Sequence, residues 1–435
     1  MKRTLPDEFS RRLNLPYLLG VYLLVNAVED LFLLVDGPDC ILHKAEFIHG
    51  KHDWNSTLLD AAGAHRIVFS NVTLNDVAAD QSGRLEALLD LIRSVPGCGG
   101  VLASAMPVCA VTGFPYERLL KPAAGAGGKP VMVLPSESLS GDWLDGYAAA
   151  LAALAGALPL KERGRGGRAA GSAAVVGLLA DRNEGDHRGN RSELRRLLAA
   201  LGMPRVGFWP GEGGLAELSR AAQADLVISL PYGREAARVL AERTGARLVR
   251  ADLPFGLDGT EAFLRCVARA AGRPALADTL VRGERARVFA ALEWVLPYAF
   301  LNRELSLFLD PHLAAGMLGF CRELGLRPRF AAAAGSRGHA AGEAALRRAA
   351  PELTFEPRRA SLEAALREPG ELVVGGTFAV TDEALREGTA AVELGFPSWH
   401  THFLTETPFL GFEGALSLAQ RMANALSAAR VRRRP

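Results

Sequence analysis

Residues 31–40 read LFLLVDGPDC, with the apolar run LPYLLGVYLLVNAV at 15–28 before them and ILHKAEFIHGKHDW at 41–54 after them. Unbroken apolar character across Leu31–Val35, closed by Asp36, describes a strand at Leu31–Asp36 buried on both faces, which is how a parallel sheet reads. Gly37 and Pro38 end that strand. The loop that follows then carries Cys40 at the carboxyl edge of the sheet, where open α/β folds hold their ligands.

Outward from this strand, short apolar runs alternate with longer Ala/Leu-rich amphipathic stretches, the pattern of βα units. Arg66–Ser70, Gly100–Ala103 and Pro130–Leu134 read as further strands, with helices at Gly83–Val95 and Leu144–Leu158. The stretch Lys161–Ala174 is rich in Gly and Arg, has no period, and reads as a linker. Beyond it come a strand at Ala174–Leu179, a helix around Ser192–Leu201, and strands at Arg205–Trp209, Asp225–Leu230 and Arg247–Ala251. A helix over Arg285–Phe308 leads into a third set with strands at Arg329–Ala333 and Leu372–Gly375 and a last helix at Gly414–Ala428. Ala331–Ala345 reads as an Ala/Gly-rich loop, and Thr260 in the segment Pro254–Thr260 as a helix N-cap. The expected fold class is α/β: three Rossmann-like, doubly wound domains with mainly parallel sheets, at 1–165, 173–282 and 283–435.

Composition narrows the function. Fifty basic residues against 48 acidic ones leave a net charge of +2, which gives no field for nucleic acid or a membrane surface. Ahead of the run at 15–28 the basic start is interrupted by Asp7 and Glu8, and no small-x-small cleavage site follows the run. It is also too short to span a bilayer. It reads as a buried helix in a cytoplasmic protein. Five cysteines cannot make a disulfide scaffold. No GxxxxGK[ST] loop, no GxGxxG between strand and helix, and no GxSxG elbow is present, so this chain is not expected to bind a nucleotide or act as a serine hydrolase.

Cys40 and Cys109 each follow a strand at the carboxyl edge of the first domain, and two thiolates meeting there suit iron or zinc. Spacing alone leaves open that both are small buried residues, as Cys266 and Cys321 on amphipathic helices are expected to be. Cys98, in PGCGG before a strand, sits at the opposite edge. His43, His49 and His52 crowd the segment after Cys40. His400 and His402 alternate along an extended stretch and should share one face.

Taken in order, these features resemble component 1 of nitrogenase and its relatives, among them the dark-operative protochlorophyllide and chlorophyllide reductases. LLVDGPDC ending at Cys40 is similar to the family's HGPxGC, and PVCAVTG ending at Gly113 to its cysteine-then-glycine loop. GDWLDGY ending at Tyr147 is similar to a GxxxGY-type segment. LGFPSWHTH ending at His402 and PFLGFEGA at 408–415 resemble the family's C-terminal motif.

The resemblance implies paired subunits with an iron–sulfur cluster at their interface, held by Cys40 and, as a looser match, Cys109. Two thiols per chain would give a symmetric dimer the four ligands of a 4Fe–4S cluster. It further implies a reductase that takes electrons from an ATP-dependent iron–sulfur protein and reduces an unsaturated or hard-to-reduce small molecule. His52, His400 and His402 would be proton donors. A non-catalytic scaffold for metallocofactor assembly is the rival. The family's cysteine upstream of HGPxGC is missing from residues 15–28, and Ser229 stands where the iron–molybdenum cofactor's cysteine would be. Both departures point away from a dinitrogen-reducing catalytic subunit.

Overall fold

The computed structural model of the chain describes residues 15–38, 45–59, 65–73, 75–77, 79–120, 128–135, 140–160, 171–335, 343–349 and 351–432. Three sheets, all parallel, organise them. The first holds β1 (Leu31–Asp36), β2 (Ile67–Phe69), β3 (Gly100–Ala105) and β4 (Val131–Val133) in the order β2-β1-β3-β4. The second holds β5 (Ser172–Val176), β6 (Arg205–Trp209), β7 (Leu226–Ser229) and β8 (Arg247–Arg250) in the order β6-β5-β7-β8. The third holds β9 (Glu304–Leu309), β10 (Arg327–Ala333), β11 (Thr354–Phe355), β12 (Leu372–Gly375) and β13 (Ala390–Glu393) in the order β11-β10-β9-β12-β13.

In each sheet the chain first winds outward on one side and then returns to the other side of its first strand. The strand order therefore reverses at β1/β3, β5/β7 and β9/β12, the positions where doubly wound sheets open a crevice at their carboxyl edges. Every residue of β1 and β3 is buried, as a central parallel strand requires.

By contact, the chain forms two compact units. One takes Pro16–Asn183 with Arg205–Arg250 and contains the first two sheets. The other takes Glu184–Pro204 with the residues from Ala251 on and contains the third. In the first unit the apolar run becomes a helix, Tyr17–Ala27, buried along its whole length. It packs on the helix Trp143–Ala157, whose N-terminus carries a reciprocal cap between Asp142 and Asp145. Their glycines let the backbones touch: a Cβ on Gly20 would lie 1.7 Å from the Trp143 carbonyl oxygen, and one on Gly146 2.0 Å from that of Tyr17.

Several expectations change. The helix read over Arg285–Phe308 ends at Leu292, a π-turn occupies Leu296–Phe300, and Glu304–Leu309 is strand β9. Pro297 cannot continue a regular helix. The run Leu305–Leu309 is apolar but for Ser306, whose hydroxyl donates to the Pro369 carbonyl, because β9 is the central strand, buried on both faces. The stretch read as linker to Ala174 already contains β5 from Ser172, and Ala331–Ala333, where the strand and loop readings overlapped, finish β10.

Thr260 is not an N-cap. Its helix, Gly256–Ala270, starts four residues earlier, and its hydroxyl donates to the carbonyls of Pro254 (3.2 Å) and Gly256 (2.5 Å). The capping role falls to the Glu323 carboxylate, which accepts from the backbone N–H groups of Leu257 (2.7 Å) and Asp258 (3.0 Å).

Candidate functional site

The carboxyl edge of the first sheet is organised by Asp36. Its register partner on β3 is Ala105, so the chains leaving β1 and β3 start side by side at the switch point. Asp36 is buried, and its carboxylate is held by donors. Ser70 Oγ donates to Oδ1 at 2.5 Å, Tyr116 Oη donates to Oδ2 at 2.5 Å, and the Ser70 oxygen in turn accepts from the Gly37 N–H at 2.9 Å. The Cys109 thiol lies near enough to this carboxylate to feel its charge.

Cys109 lies on the short helix Pro107–Ala110 just past β3, only 3% exposed, in an apolar cluster with Phe32, Leu34, Tyr116 and Leu120. Burial together with the Asp36 charge pushes its thiol up to about 12, and the same causes raise the Tyr116 phenol. At the tip of β3, the side chain that abuts the Gly37 backbone is Met106: a Cβ on Gly37 would come within 2.6 Å of its Cγ and Sδ. Cys40 lies outside the described residues.

As placed, Cys109 does not fit an iron ligand. A metal takes the thiolate, and this sulfur is turned into apolar packing beside a carboxylate that opposes its ionisation. Among the described residues no group of three or more His, Cys, Asp or Glu side chains is arranged to hold a metal ion. Cys98 precedes β3 at the opposite edge, its thiol directed at the Gly100 carbonyl (3.6 Å) and raised by burial. Cys109 in the folded chain should therefore react with iodoacetamide at pH 8 more than about a hundredfold slower than a free thiol, with the rate climbing only as pH approaches 12. Mass mapping of alkylated peptides reads this out, and a free-thiol rate at Cys109 would contradict the placement.

His52 belongs to a second buried polar group in the same unit. Its Nε2 lies 3.5 Å from Asp181 Oδ2, with side chains 1% and 3% exposed. Next to it, Asp53 accepts from Asn26 Nδ2 (2.7 Å) and from the backbone N–H groups of Asn55 and Asn183 (both 2.9 Å). Burial nevertheless holds the Asp53 carboxyl above the usual carboxylate range. Asn26 is the polar residue of the apolar helix, and it also binds Ser56 and Thr57, so the segment after the first loop is tied to the core. Arg66 completes the tie, donating to the carbonyls of Val28 (2.7 Å), Leu31 (2.6 Å) and Thr57 (2.6 Å).

In the other unit, the C-terminal motif is built around buried carboxylates. Glu393, at the end of β13, accepts from the Thr377 hydroxyl and from the backbone N–H groups of Trp399 (2.9 Å) and His400 (3.0 Å). Glu184 accepts from His402 Nδ1 and from the Phe403 N–H, both at 2.8 Å. His402 Nε2 faces the Trp399 carbonyl at 3.2 Å. His400 and His402 do not share a face: bends at Trp399 and His400 break the extended alternation, leaving His400 exposed and His402 against Glu184. Back in the first unit, Ser229 is buried at the end of β7, its carbonyl accepting from the Arg234 guanidinium.

Sequence reading passed over the polar run at 181–193, DRNEGDHRGNRSE, and began its helix near Ser192. The helix starts at Gly185, and Asp186, His187, Asn190, Arg191 and Glu193 are all buried. Its first turns lack an apolar stripe because polar side chains serve the C-terminal motif: Asn190 Oδ1 accepts from the N–H groups of Phe409 (2.9 Å) and Leu410 (3.0 Å). The signal in the sequence was the pair Gly185 and Gly189, one helical turn apart, whose missing side chains admit Thr405 and Pro408.

Three doubly wound parallel sheets define an α/β protein, with buried carboxylates at Asp36, Glu184 and Glu393. The family model described as Nitrogenase component 1 type Oxidoreductase matches residues 17–427, and the chain belongs to that family. It is 27% identical over 217 residues to the nitrogenase iron-iron protein beta chain of Rhodobacter capsulatus, covering 48% of this chain and 46% of that one. It is 34% identical over 158 residues to the light-independent protochlorophyllide reductase subunit N of Rhodopseudomonas palustris strain BisB18, covering 36% and 35%. The matched stretches thus span about half, or less, of these relatives. The solved structure titled "Nitrogenase Cp1 at pH 6.5" superposes with a TM-score of 0.77 over 100% of this chain and 95% of that chain at 16% identity, a likeness of fold. Among the described residues no helix is long and apolar enough to cross a membrane.

Proposed function

We propose that this chain is a subunit of a nitrogenase-like reductase. In this reading it works in the cytoplasm and pairs with an identical or paralogous component 1 chain. Electrons come from a separate ATP-dependent iron–sulfur protein, and the substrate is an unsaturated or otherwise hard-to-reduce small molecule. The observation that carries the reading is the family match over 17–427. The missing phosphate loop supports it, since ATP chemistry then belongs to the partner.

The cofactor called for is an iron–sulfur cluster, 4Fe–4S in type, with Cys40 as the ligand the sequence implies. When bound, such a cluster stores and passes single electrons. This chain's own contribution is a fixed carboxyl-edge frame at Asp36 and a strap that positions histidines. Of His52, His400 and His402, His400 best meets the need of a general acid, because its ring is exposed while its backbone N–H is pinned on Glu393. The three segments 1–165, 173–282 and 283–435 are the domains we propose for it.

The test is anaerobic. The chain, alone and co-expressed with a paralogue, is mixed with an ATP-dependent iron–sulfur reductase and phosphate release is followed. Docking should raise the reductase's ATP hydrolysis several-fold. An unchanged rate with both preparations would remove the reductase reading and leave the assembly scaffold.

A further inference from the structure

We infer that Cys109 is a structural thiol packed into the core at the carboxyl edge of the first sheet, and not an iron ligand. A sulfur that shares a cluster with a second chain must point out of its own. Cys109 points inward, into the cluster of Phe32, Leu34, Tyr116 and Leu120. The turn Pro107–Ala110 sets this direction. Met106 caps it, Pro107 opens it, and the Cys109 N–H closes it on the Met106 carbonyl at 2.9 Å. Bringing the sulfur outward would unwind that turn and leave its place in this cluster empty.

The side chain that occupies the strand tip against Gly37 is the thioether of Met106. Cys98 offers no replacement, because it lies before β3 rather than after it. The first-domain cysteines available to iron therefore reduce to Cys40, so two identical chains cannot complete a four-cysteine site from them. A cluster of that type would take its other thiolates from a chain of different sequence.

The inference stands or falls apart from the reductase reading, since its readouts are iron content and thiol chemistry, not ATP hydrolysis. The full chain is purified anaerobically and assayed for iron and sulfide, then alkylated with iodoacetamide before and after chelation by EDTA. Cys109 should stay more than about a hundredfold slower than a free thiol in both states. It should do so equally in a preparation that holds no iron. Cys109→Ser should keep the parent's iron content with a lowered melting temperature.

Three results would overturn the inference. One is Cys109 reacting at a free-thiol rate, and another is protection of Cys109 that vanishes on chelation. The third is a Cys109→Ser protein that melts like the parent yet holds half the iron or less.

Discussion

Gly146→Ala should destabilise the first unit by more than about 3 kcal/mol, although Gly→Ala inside a helix ordinarily stabilises by roughly 1 kcal/mol. The reversal comes from one contact. A Cβ at 146 would sit 2.0 Å from the Tyr17 carbonyl oxygen and 2.9 Å from its carbon, where ordinary contacts begin near 3.4 Å. The obstacle is backbone, so no rotamer change relieves it. The Tyr17–Ala27 and Trp143–Ala157 helices, both largely buried, would have to move apart and open a gap between them. Gly20→Ala should do the same, since its Cβ would lie 1.7 Å from the Trp143 carbonyl oxygen.

The control lies in the same helix. Gly156 is exposed, and a methyl added there would meet nothing within 4 Å, so Gly156→Ala should be neutral or stabilising by up to about 1 kcal/mol. Chemical denaturation followed by circular dichroism separates the cases. Equal small effects at 146 and 156 would mean that the two helices do not cross at these glycines.

That crossing shows what could be read ahead of the fold. The apolar run at 15–28 and the GDWLDGY segment were both recognisable as helices, because periodicity and composition are local. Their meeting at Gly20 and Gly146 is a fact about residues far apart in the chain. The same division runs through the site. Leu31–Asp36 and Leu372–Gly375 were legible as strands to the residue, whereas β9 was lost in a longer apolar stretch that a central strand and a helix share.

Cys109 could be placed at the carboxyl edge from sequence, but its direction depends on the turn opened by Pro107. Asp36 is visible in the sequence as the one charge closing an apolar strand. What it does depends on Ser70 and Tyr116, which stand 34 and 80 residues further on. The polar start of the Gly185–Ala200 helix hid it from any apolar-stripe criterion, because its partners lie more than two hundred residues away.

The second large effect is expected at that helix. Glu184→Ala should cost about 3 kcal/mol, because it strips the acceptor from two donors at once: His402 Nδ1 and the Phe403 N–H, each at 2.8 Å. Glu184→Gln should cost roughly 1 kcal/mol, since its carbonyl still takes the Phe403 N–H and its amide can donate to a neutral imidazole. The loss should be local at first. Phe403 is the point where the strap joins the helix: its carbonyl accepts from the Gly185 N–H at 2.8 Å, and its ring lies 4.7 Å beneath the Arg421 guanidinium.

Without Glu184 the strap is still held at Glu393 and at Asn190, so the segment between them should open while both ends stay closed. Amide exchange at Phe403 and Thr407 should then rise in Glu184→Ala, with little change at Trp399 and Phe409. If the alanine variant keeps parental exchange at Phe403 and stability within about 0.5 kcal/mol, the carboxylate is not what fastens the strap. A uniform rise from Trp399 to Leu410 would instead show that the strap opens as one piece, and that His400 depends on Glu184 for its position as much as on Glu393.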